Sequence, residues 1–401
     1  MTGIRTGVAA TVLFGFAIVG SQSYAGGTYD PGATDAEIKI GQTMPYSGPA
    51  SSYGVIGKSQ EAYFKKLNAA GGINGRKIVF LSQDDGLQPP RALEVSRKLV
   101  ERDEVLFLFG SLGTATNTAV HQYANQNKIP QVLIDTGAAK FNNPAKYPWT
   151  IPYLPSYETE GEIFGKYILQ EKPNAKVGIL YQNDDSGKDA LRGLARSLEA
   201  AGKTVAMKQT YEVTDATLDS QIIALKGAGV DAFFFFGLPK FSAQMIRKKH
   251  DIGWEPLTLI SSVASSVATA LEPAGLDKSI GLVTADFLKD PTDKAWANDP
   301  DVVEWTAFMN KWYPGNLTDV NSVHGYIMAK LLEQILTQCG DNLTRENVMK
   351  QAANLKELRV PMLLPGIVVN TSSTDYGVIE QVRLSRFDGK NWVGFGDVIG
   401  R

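Results

Sequence analysis

Short apolar runs alternate with longer amphipathic segments along most of the chain. Apolar runs of four to eight residues are typical of buried strands, and apolar positions three or four apart are typical of helices. The pattern predicts strands at 38–40, 77–81, 105–109, 131–134, 177–181, 205–211, 232–236, 258–261, 281–285, 366–369 and 381–387. It predicts helices at 90–102, 114–127, 157–170, 187–201, 218–227, 241–251, 302–313 and 322–339, and one directly after residue 50. This order predicts an α/β fold of two doubly wound halves with parallel sheets.

The stretch 37–86 shows the first unit of this pattern in detail. A strand runs into a loop rich in Pro, Ser and Gly, and an amphipathic helix follows. A GGxNG turn at 71–75 then leads into a second strand, which ends on Asp84-Asp85. The order is that of a βαβ unit, whose ligand-binding loops lie at the carboxyl ends of the strands.

The first 25 residues have the features of a secretory signal peptide. Arg5 is their only charged residue, an apolar stretch of about 13 residues spans 8–20, and Ser23-Tyr24-Ala25 resembles a cleavage site. The stretch is shorter than the roughly 18–20 residues that span a bilayer, and no cysteine follows the cleavage site to carry a lipid. We therefore expect export to the periplasm without membrane insertion.

Length and charge narrow the class of protein further. The 376 residues after position 25 exceed the roughly 250–300 at which single cores stop growing, so two domains are expected. The net charge of −2, without any Lys/Arg block, argues against nucleic acid as a partner. Cys339 is the only cysteine, and its place in an apolar helix pattern predicts a buried, unreactive thiol.

The sequence lacks the common catalytic and metal-binding signatures. No GxSxG or HExxH motif occurs, and residues 54–59 lack the first glycine of a phosphate-binding loop because Ser52 takes its place. The histidines are far apart; His121 and His250 are predicted on helix surfaces, and His324 is kept as a site candidate. We predict no enzyme, metal or cofactor, although distant residues that converge in space leave a secreted hydrolase as an alternative.

Two loops are candidates for binding an anion. Residues 109–117 link a buried strand to a helix through small residues, so the amides after Gly113 and the Thr114 hydroxyl could hold a carboxylate. Alternatively, this is a glycine-rich turn in which Thr114 only caps the helix. The loop 135–138 ends the next strand and should lie beside it. The acidic pair Asp184-Asp185 is interpreted as a helix cap rather than a metal site.

Five motifs together resemble the solute-binding proteins of branched-chain-amino-acid-type ABC transporters. They are MPYSGPASSYG, NAAGGINGRK, GSLGTATN, LYQNDDSGKD and DNLTRENVMKQAANL. The resemblance implies the type I periplasmic binding fold, in which two lobes joined by three hinge crossings hold a ligand between them. It places the first lobe at 28–151 plus 287–361 and the second at 152–286 plus 362–401.

The resemblance also implies a set of ligand-binding residues. In related receptors a hydroxyl and backbone amides of the first lobe bind the ligand carboxylate, which here correspond to Thr114 with Gly113 and to the loop Thr136, Gly137 and Ala138. A tyrosine of the first loop also approaches the ligand, and Tyr53 occupies its position. The other wall candidates are Tyr46, Ser186, Leu238, Phe241, Val263 and His324, and many of the aromatic candidates fit the core equally well.

The chain departs from amino-acid receptors at the residues that bind the ligand ammonium. Those receptors supply an acidic side chain from the second lobe, whereas the equivalent loop at 260–266 contains none. A desolvated ammonium without a partner costs several kcal/mol. We therefore predict a small carboxylate with an apolar or aromatic body, such as a benzoate or hydroxycinnamate, delivered by a monomeric receptor to a membrane-embedded ABC permease.

Three alternatives remain at this point. The ligand is Leu, Ile or Val if an acid such as Asp184 or Asp286 reaches its ammonium from another loop. The protein is a secreted hydrolase, or it is a ligand sensor that feeds a signalling partner.

Overall fold

The chain folds into two main β-sheets that are covered by helices. This structure is a computed structural model, and it describes residues 1–3 and 27–400. The predicted signal peptide, residues 1–25, lies outside the described residues except for its first three. Among the described residues, no helix is both long enough and apolar enough to cross a membrane.

The strands and helices occupy the following positions. The strands are β1 (Thr28–Tyr29), β2 (Glu37–Met44), β3 (Lys77–Asp84), β4 (Phe107–Phe109), β5 (Gln131–Ile134), β6 (Thr150–Pro152), β7 (Val177–Gln182), β8 (Met207–Tyr211), β9 (Ala232–Phe236), β10 (Leu257–Ile260), β11 (Val283–Asp286), β12 (Asn342–Leu343), β13 (Gln381–Phe387) and β14 (Trp392–Gly400). The helices are α1 (Gly54–Ala69), α2 (Pro89–Glu101), α3 (Thr114–Gln126), α4 (Tyr157–Glu171), α5 (Asp185–Ala200), α6 (Asp219–Gly227), α7 (Pro239–Asp251), α8 (Glu272–Ala274), α9 (Pro300–Trp312), α10 (Val320–Cys339) and α11 (Arg345–Ala352).

The first sheet is fully parallel, in the order β3-β2-β4-β5-β6. Parallel neighbours need a crossover connection, and helices α1, α2 and α3 provide it between successive strands. All residues of β4 and β5 are buried, as expected for strands that are covered on both faces. Helix α10 packs on α1, where the Ser59 hydroxyl donates to the carbonyl of Ser322 at 2.7 Å.

The second sheet has the order β14-β13-β11-β10-β9-β7-β8. Strands β7 to β11 are parallel, whereas β13 and β14 add an antiparallel edge. Strand β9 is buried at all five positions, and its Phe234 meets Phe164 of α4 edge to face at 4.9 Å. Burial of one such ring contributes about 1.5–3 kcal/mol, so this contact is a major link between the sheet and its helices.

Most predicted elements are confirmed within a few residues, and the α/β class with doubly wound parallel sheets is confirmed. The predicted strand at 366–369 is wrong, since only Val369 forms a single bridge, to Leu358. The prediction of a surface position for His121 is also wrong. Its side chain packs on Tyr147 at 3.9 Å between ring centres and on Phe141 at 5.1 Å, and burial lowers its pKa to about 4.

The order of the strands shows where the chain passes between the two main sheets. The chain leaves the first sheet after β6, leaves the second after β11, and returns to it at β13. The lobe boundaries near residues 151, 286 and 361 stay predictions.

Candidate functional site

A cavity of about 310 Å³ lies at the carboxyl ends of the strands of both sheets. Its lining comes from the segments that follow each strand from β2 to β11, from the start of α10 and from Trp392 of β14. Ligands of parallel α/β sheets bind at this end of the strands. Seven of the predicted site residues line it, namely Tyr53, Gly113, Thr114, Ser186, Leu238, Val263 and His324.

The start of helix α3 forms one wall of this cavity. Gly113 is the N-cap with a φ of 102°, a conformation that side chains rarely adopt. A Cβ there would lie 2.7 Å from the Thr116 hydroxyl and 2.8 Å from Leu87. No side chain of the described residues caps α3, and the first amides of a helix have no partner within it. These amides can therefore bind an anion in the cavity.

The loop after β5 lies behind this wall. Thr136 is fully buried, and its hydroxyl is 2.6 Å from that of Thr114, so Thr114 is fixed by Thr136 and does not cap α3. Thr136, Gly137 and Ala138 are not among the residues that line the main cavity; the latter two line a smaller one of about 170 Å³. The physical reason is that Tyr157 packs against Gly137, and its backbone amide donates to the Gly137 carbonyl. Tyr157 therefore lines the main cavity in place of these three residues.

Two predicted wall residues lie outside the cavity lining. The Tyr46 hydroxyl is hydrogen-bonded to the Ser82 hydroxyl at 2.6 Å, and the ring of Tyr46 lies against the start of α1. Phe241 is fully buried in α7, with its ring 4.4 Å from that of Tyr211. Both aromatic side chains belong to the packing of their own sheet and its helices.

Tyr53 connects the two sides of the cavity. Its hydroxyl, directly before α1, donates to the carbonyl of Val263 after β10 at 2.6 Å, and burial raises the pKa of this phenol. The loop that carries Val263 is held from behind, because Ser262 donates its amide to Glu160 at 2.7 Å. The indole of Trp392 donates to another carbonyl of the same loop at 2.9 Å. The Tyr53 contact thus joins two rigid surfaces.

Asp135 and His324 form a buried pair on the cavity wall. His324 Nε2 lies 3.0 Å from Asp135 Oδ1, and both residues line the cavity. The second oxygen, Oδ2, is buried and has no hydrogen-bond partner among the described residues. The ring of Tyr153 packs edge to face on His324 at 4.9 Å, which fixes the imidazole.

Acidic side chains are the charged groups of the lining, and none of the lining residues that the structure describes is Lys or Arg. The acidic residues are Asp135, Asp184, Glu212, Asp286 and Asp290. Asp184 caps α5 by accepting the Gly187 amide at 3.1 Å, so the prediction of a cap is confirmed. Burial raises the pKa of Asp286 to about 7, because desolvation disfavours the charged form of this carboxyl.

The histidines and the thiol show little of the geometry that catalysis or metal binding requires. His324 hydrogen-bonds Asp135 and no hydroxyl or thiol of the described residues, so no nucleophile adjoins the pair. Residues 1–3 and 27–400 contain no group of three His, Cys, Asp or Glu side chains placed to hold a metal ion. Cys339 is buried, and burial raises its pKa to about 12.

Several lining residues were not predicted as site residues. Asp135 was treated only as part of a loop, although a lone acid directly after the buried strand β5 is a recognisable signal. Tyr157, Phe287 and Trp392 also line the cavity. Trp392 comes from the chain's last strand, and no local sequence pattern places that strand beside a loop more than 120 residues earlier.

The comparisons with known proteins agree with this architecture. A family model described as "Periplasmic binding protein" matches residues 37–391. The Leu/Ile/Val-binding protein homolog 1 of Brucella abortus is 25% identical over 277 residues, which cover 66% of this chain and 74% of that protein.

Solved structures show the same fold at low identity. One is a branched-chain amino acid ABC transporter protein from Thermus thermophilus with bound valine, with a TM-score of 0.82, 16% identity, and coverage of 91% of this chain and 97% of that one. Another is an ABC transporter solute-binding protein from R. palustris in complex with benzoate, with a TM-score of 0.76, 18% identity, and coverage of 91% and 98%. The chain therefore belongs to the periplasmic binding protein family, as a Leu/Ile/Val-binding-protein-like member with the two-lobed type I fold.

Proposed function

We propose that this protein is the periplasmic substrate-binding component of an ABC importer, and that its ligand is a small carboxylate with an apolar or aromatic body. The observation that carries the proposal is the uncapped start of α3 in the wall of the cavity. Backbone amides at a helix start supply partial positive charge without a basic side chain. They are suited to a monoanion, whereas a dianion would lack a counter-charge among the lining residues described.

The remaining walls support an apolar or aromatic body. Aromatic rings from both sides face the cavity, among them Tyr53, Tyr157, Phe236, Phe287 and Trp392. Leu and Val side chains fill the spaces between them. A volume of about 310 Å³ lies at the lower end of the range of roughly 300–1,000 Å³ for small-molecule sites. Aromatic acids of the benzoate or hydroxycinnamate type fit these conditions, and a structural neighbour was solved with benzoate.

A branched-chain amino acid is the second candidate, because acids line the cavity outside the loop 260–266. Asp184 and Asp286 are both lining residues, so the absence of an acid from that loop does not leave an ammonium without a partner. Two features weigh against this candidate. Asp184 already accepts hydrogen bonds from Gly187 and Ser186, and burial raises the pKa of Asp286, which disfavours its charged form.

Transport follows from closure of the two lobes on the ligand. The ligand contacts residues of both sheets, so it stabilises the conformation in which they approach each other, and the permease would recognise that conformation. The Tyr53–Val263 hydrogen bond joins the two sides of the cavity, which supports the proposal that it forms when the lobes close. We propose that the receptor acts as a monomer.

Thermal unfolding of the mature protein tests the proposal. The protein is unfolded and refolded to remove bound ligand, then heated with benzoates, hydroxycinnamates, aliphatic acids or branched-chain amino acids. A ligand at about 100 times its Kd adds roughly 2.7 kcal/mol to the free energy of unfolding. Stabilisation by an aromatic acid but not by leucine supports the proposal. Stabilisation by leucine alone contradicts the choice of ligand, and uptake assays in a deletion strain then separate transport from sensing.

A further inference from the structure

The side chain of Asp135 has one oxygen without a hydrogen-bond partner among the described residues, which neither the fold nor the proposed anion site requires. It is 97% buried and lines the main cavity. Its Oδ1 faces His324 Nε2 at 3.0 Å, while Oδ2 has no partner among the described residues. A buried carboxylate oxygen without a hydrogen bond costs about 1–3 kcal/mol or more. A group that donates a hydrogen bond from within the cavity would remove this cost.

The position of this oxygen is fixed by its surroundings. The Asp135 amide donates to the Ser111 carbonyl at 2.9 Å, and the Asp135 carbonyl accepts from the Gly113 amide at 3.1 Å. The backbone of Asp135 is therefore anchored directly beside the start of α3. On its other side, His324 is held between the rings of Tyr153 and Phe287, at 4.9 and 6.2 Å.

We propose that Asp135 is a specificity-determining residue, whose free oxygen accepts a hydrogen bond from a hydroxyl group on the bound acid. This inference rests on the proposed function and narrows its ligand to hydroxy-substituted acids. A hydroxyl matches the site better than an ammonium because it offers one donor to one unpartnered oxygen. An ammonium carries three N–H donors, and Asp135 has already used its other oxygen on His324.

Hydroxyl recognition has a measurable consequence for selectivity. A site built to hydrogen-bond a substrate hydroxyl discriminates strongly against the analogue that lacks it, since the buried polar group is then left unpaired. We expect at least one hydroxy acid to bind about tenfold more tightly than its unsubstituted parent.

Isothermal titration calorimetry of the refolded mature protein tests this expectation. Benzoate is compared with 2-, 3- and 4-hydroxybenzoate, and cinnamate with 4-hydroxycinnamate. The same titrations are made with Asp135→Asn, which keeps an oxygen for His324 but replaces the free acceptor by an NH₂ donor. The ratio of hydroxy acid to parent affinity should fall about tenfold in this variant.

Asp85→Asn is the matched control. Asp85 is also fully buried, follows a strand of the same sheet, and has an unpartnered Oδ2, but it is not among the cavity-lining residues. This substitution should leave the selectivity ratio unchanged. The comparison of hydroxy and parent acids in the unmodified protein needs no variant. Equal affinities there would refute the role of Asp135 even if Asp135→Asn fails to fold.

Failures of the two proposals are distinguishable. If no carboxylic acid binds, the proposed function fails. If acids bind with equal affinity whether or not they carry a hydroxyl, or if Asp135→Asn keeps the preference, the role of Asp135 is refuted while the proposed function stands. If leucine binds and Asp135→Asn abolishes its binding, the donor is an ammonium, which overturns the assignment to a hydroxyl.

Discussion

Replacement of Tyr53 by Phe should weaken ligand binding although it leaves the apolar walls of the cavity intact. The substitution removes only the hydroxyl that donates to the Val263 carbonyl at 2.6 Å. Ligand binding is coupled to lobe closure in the proposed function. If the Tyr53–Val263 bond is made only when the lobes are closed, as proposed, it contributes to the measured affinity without touching the ligand.

The magnitude follows from the chemistry of one hydrogen bond. A neutral hydrogen bond contributes about 0.5–1.5 kcal/mol net, and each 1.4 kcal/mol corresponds to a tenfold change in an equilibrium constant. We expect the Kd of Tyr53→Phe to rise about two- to twelvefold. Calorimetric titration measures this change, and small-angle scattering of the liganded protein should show a larger open fraction.

Tyr46→Phe is the control for this experiment. The Tyr46 hydroxyl makes a bond of the same length, 2.6 Å, and is also partly buried, but its partner Ser82 lies in the same sheet. Loss of the Tyr46 hydroxyl should lower the free energy of unfolding by the roughly 0.5–1.5 kcal/mol that one hydrogen bond contributes and leave the Kd unchanged. The reasoning is refuted if Tyr53→Phe binds as tightly as the unmodified protein, or if both variants lose affinity equally.

Three further predictions concern the helix start, a buried acid and the thiol. Gly113→Ala should weaken acid binding more than tenfold, because the added Cβ would displace Thr116 or Leu87. The control is Gly75→Ala, which is also at positive φ but in open space and should leave the Kd unchanged. Burial raises the pKa of Glu160 to about 7, so the folded state binds more protons than the unfolded state. The free energy of unfolding should therefore fall as the pH rises from about 5 to 8, and Glu160→Gln should flatten this slope in denaturant titrations. Cys339 should react with an aromatic disulfide reagent only at the rate of unfolding, and fast labelling of the native protein would contradict its burial.

Local patterns predicted the α/β layout because the central strands of both sheets are buried. Strands such as β4, β5 and β9 are continuous apolar runs, which identify themselves without tertiary information. The predicted strand at 366–369 failed because an apolar run that only covers a core resembles a strand. The surface prediction for His121 ignored the helical period, since Asn117, Val120, His121 and Ala124 form one buried stripe of α3.

The candidate site was predictable only in part. Gly113 and Thr114 were identified because a strand-to-helix turn of small residues has a local signature. Tyr46 and Phe241 could not be separated from Tyr53 and Leu238 by sequence alone. An aromatic or aliphatic side chain near a loop can turn toward the cleft or the core, and only the packing of neighbouring elements decides between them.

The missing acid in the loop 260–266 shows why ligand identity is harder to predict than fold. That loop does lack an acid, but the conclusion required that no other loop supplies one, and Asp184 and Asp286 both reach the cavity. Their presence alone does not make an ammonium site, because a carboxylate must also be ionised and unoccupied to neutralise a buried cation. Asp184 accepts an amide hydrogen bond from the helix that it caps, and burial raises the pKa of Asp286, which disfavours its charged form. Asp135 keeps one buried oxygen without a hydrogen-bond partner among the described residues, so in the proposals made here the choice between a hydroxy acid and an amino acid depends on which donor this oxygen accepts.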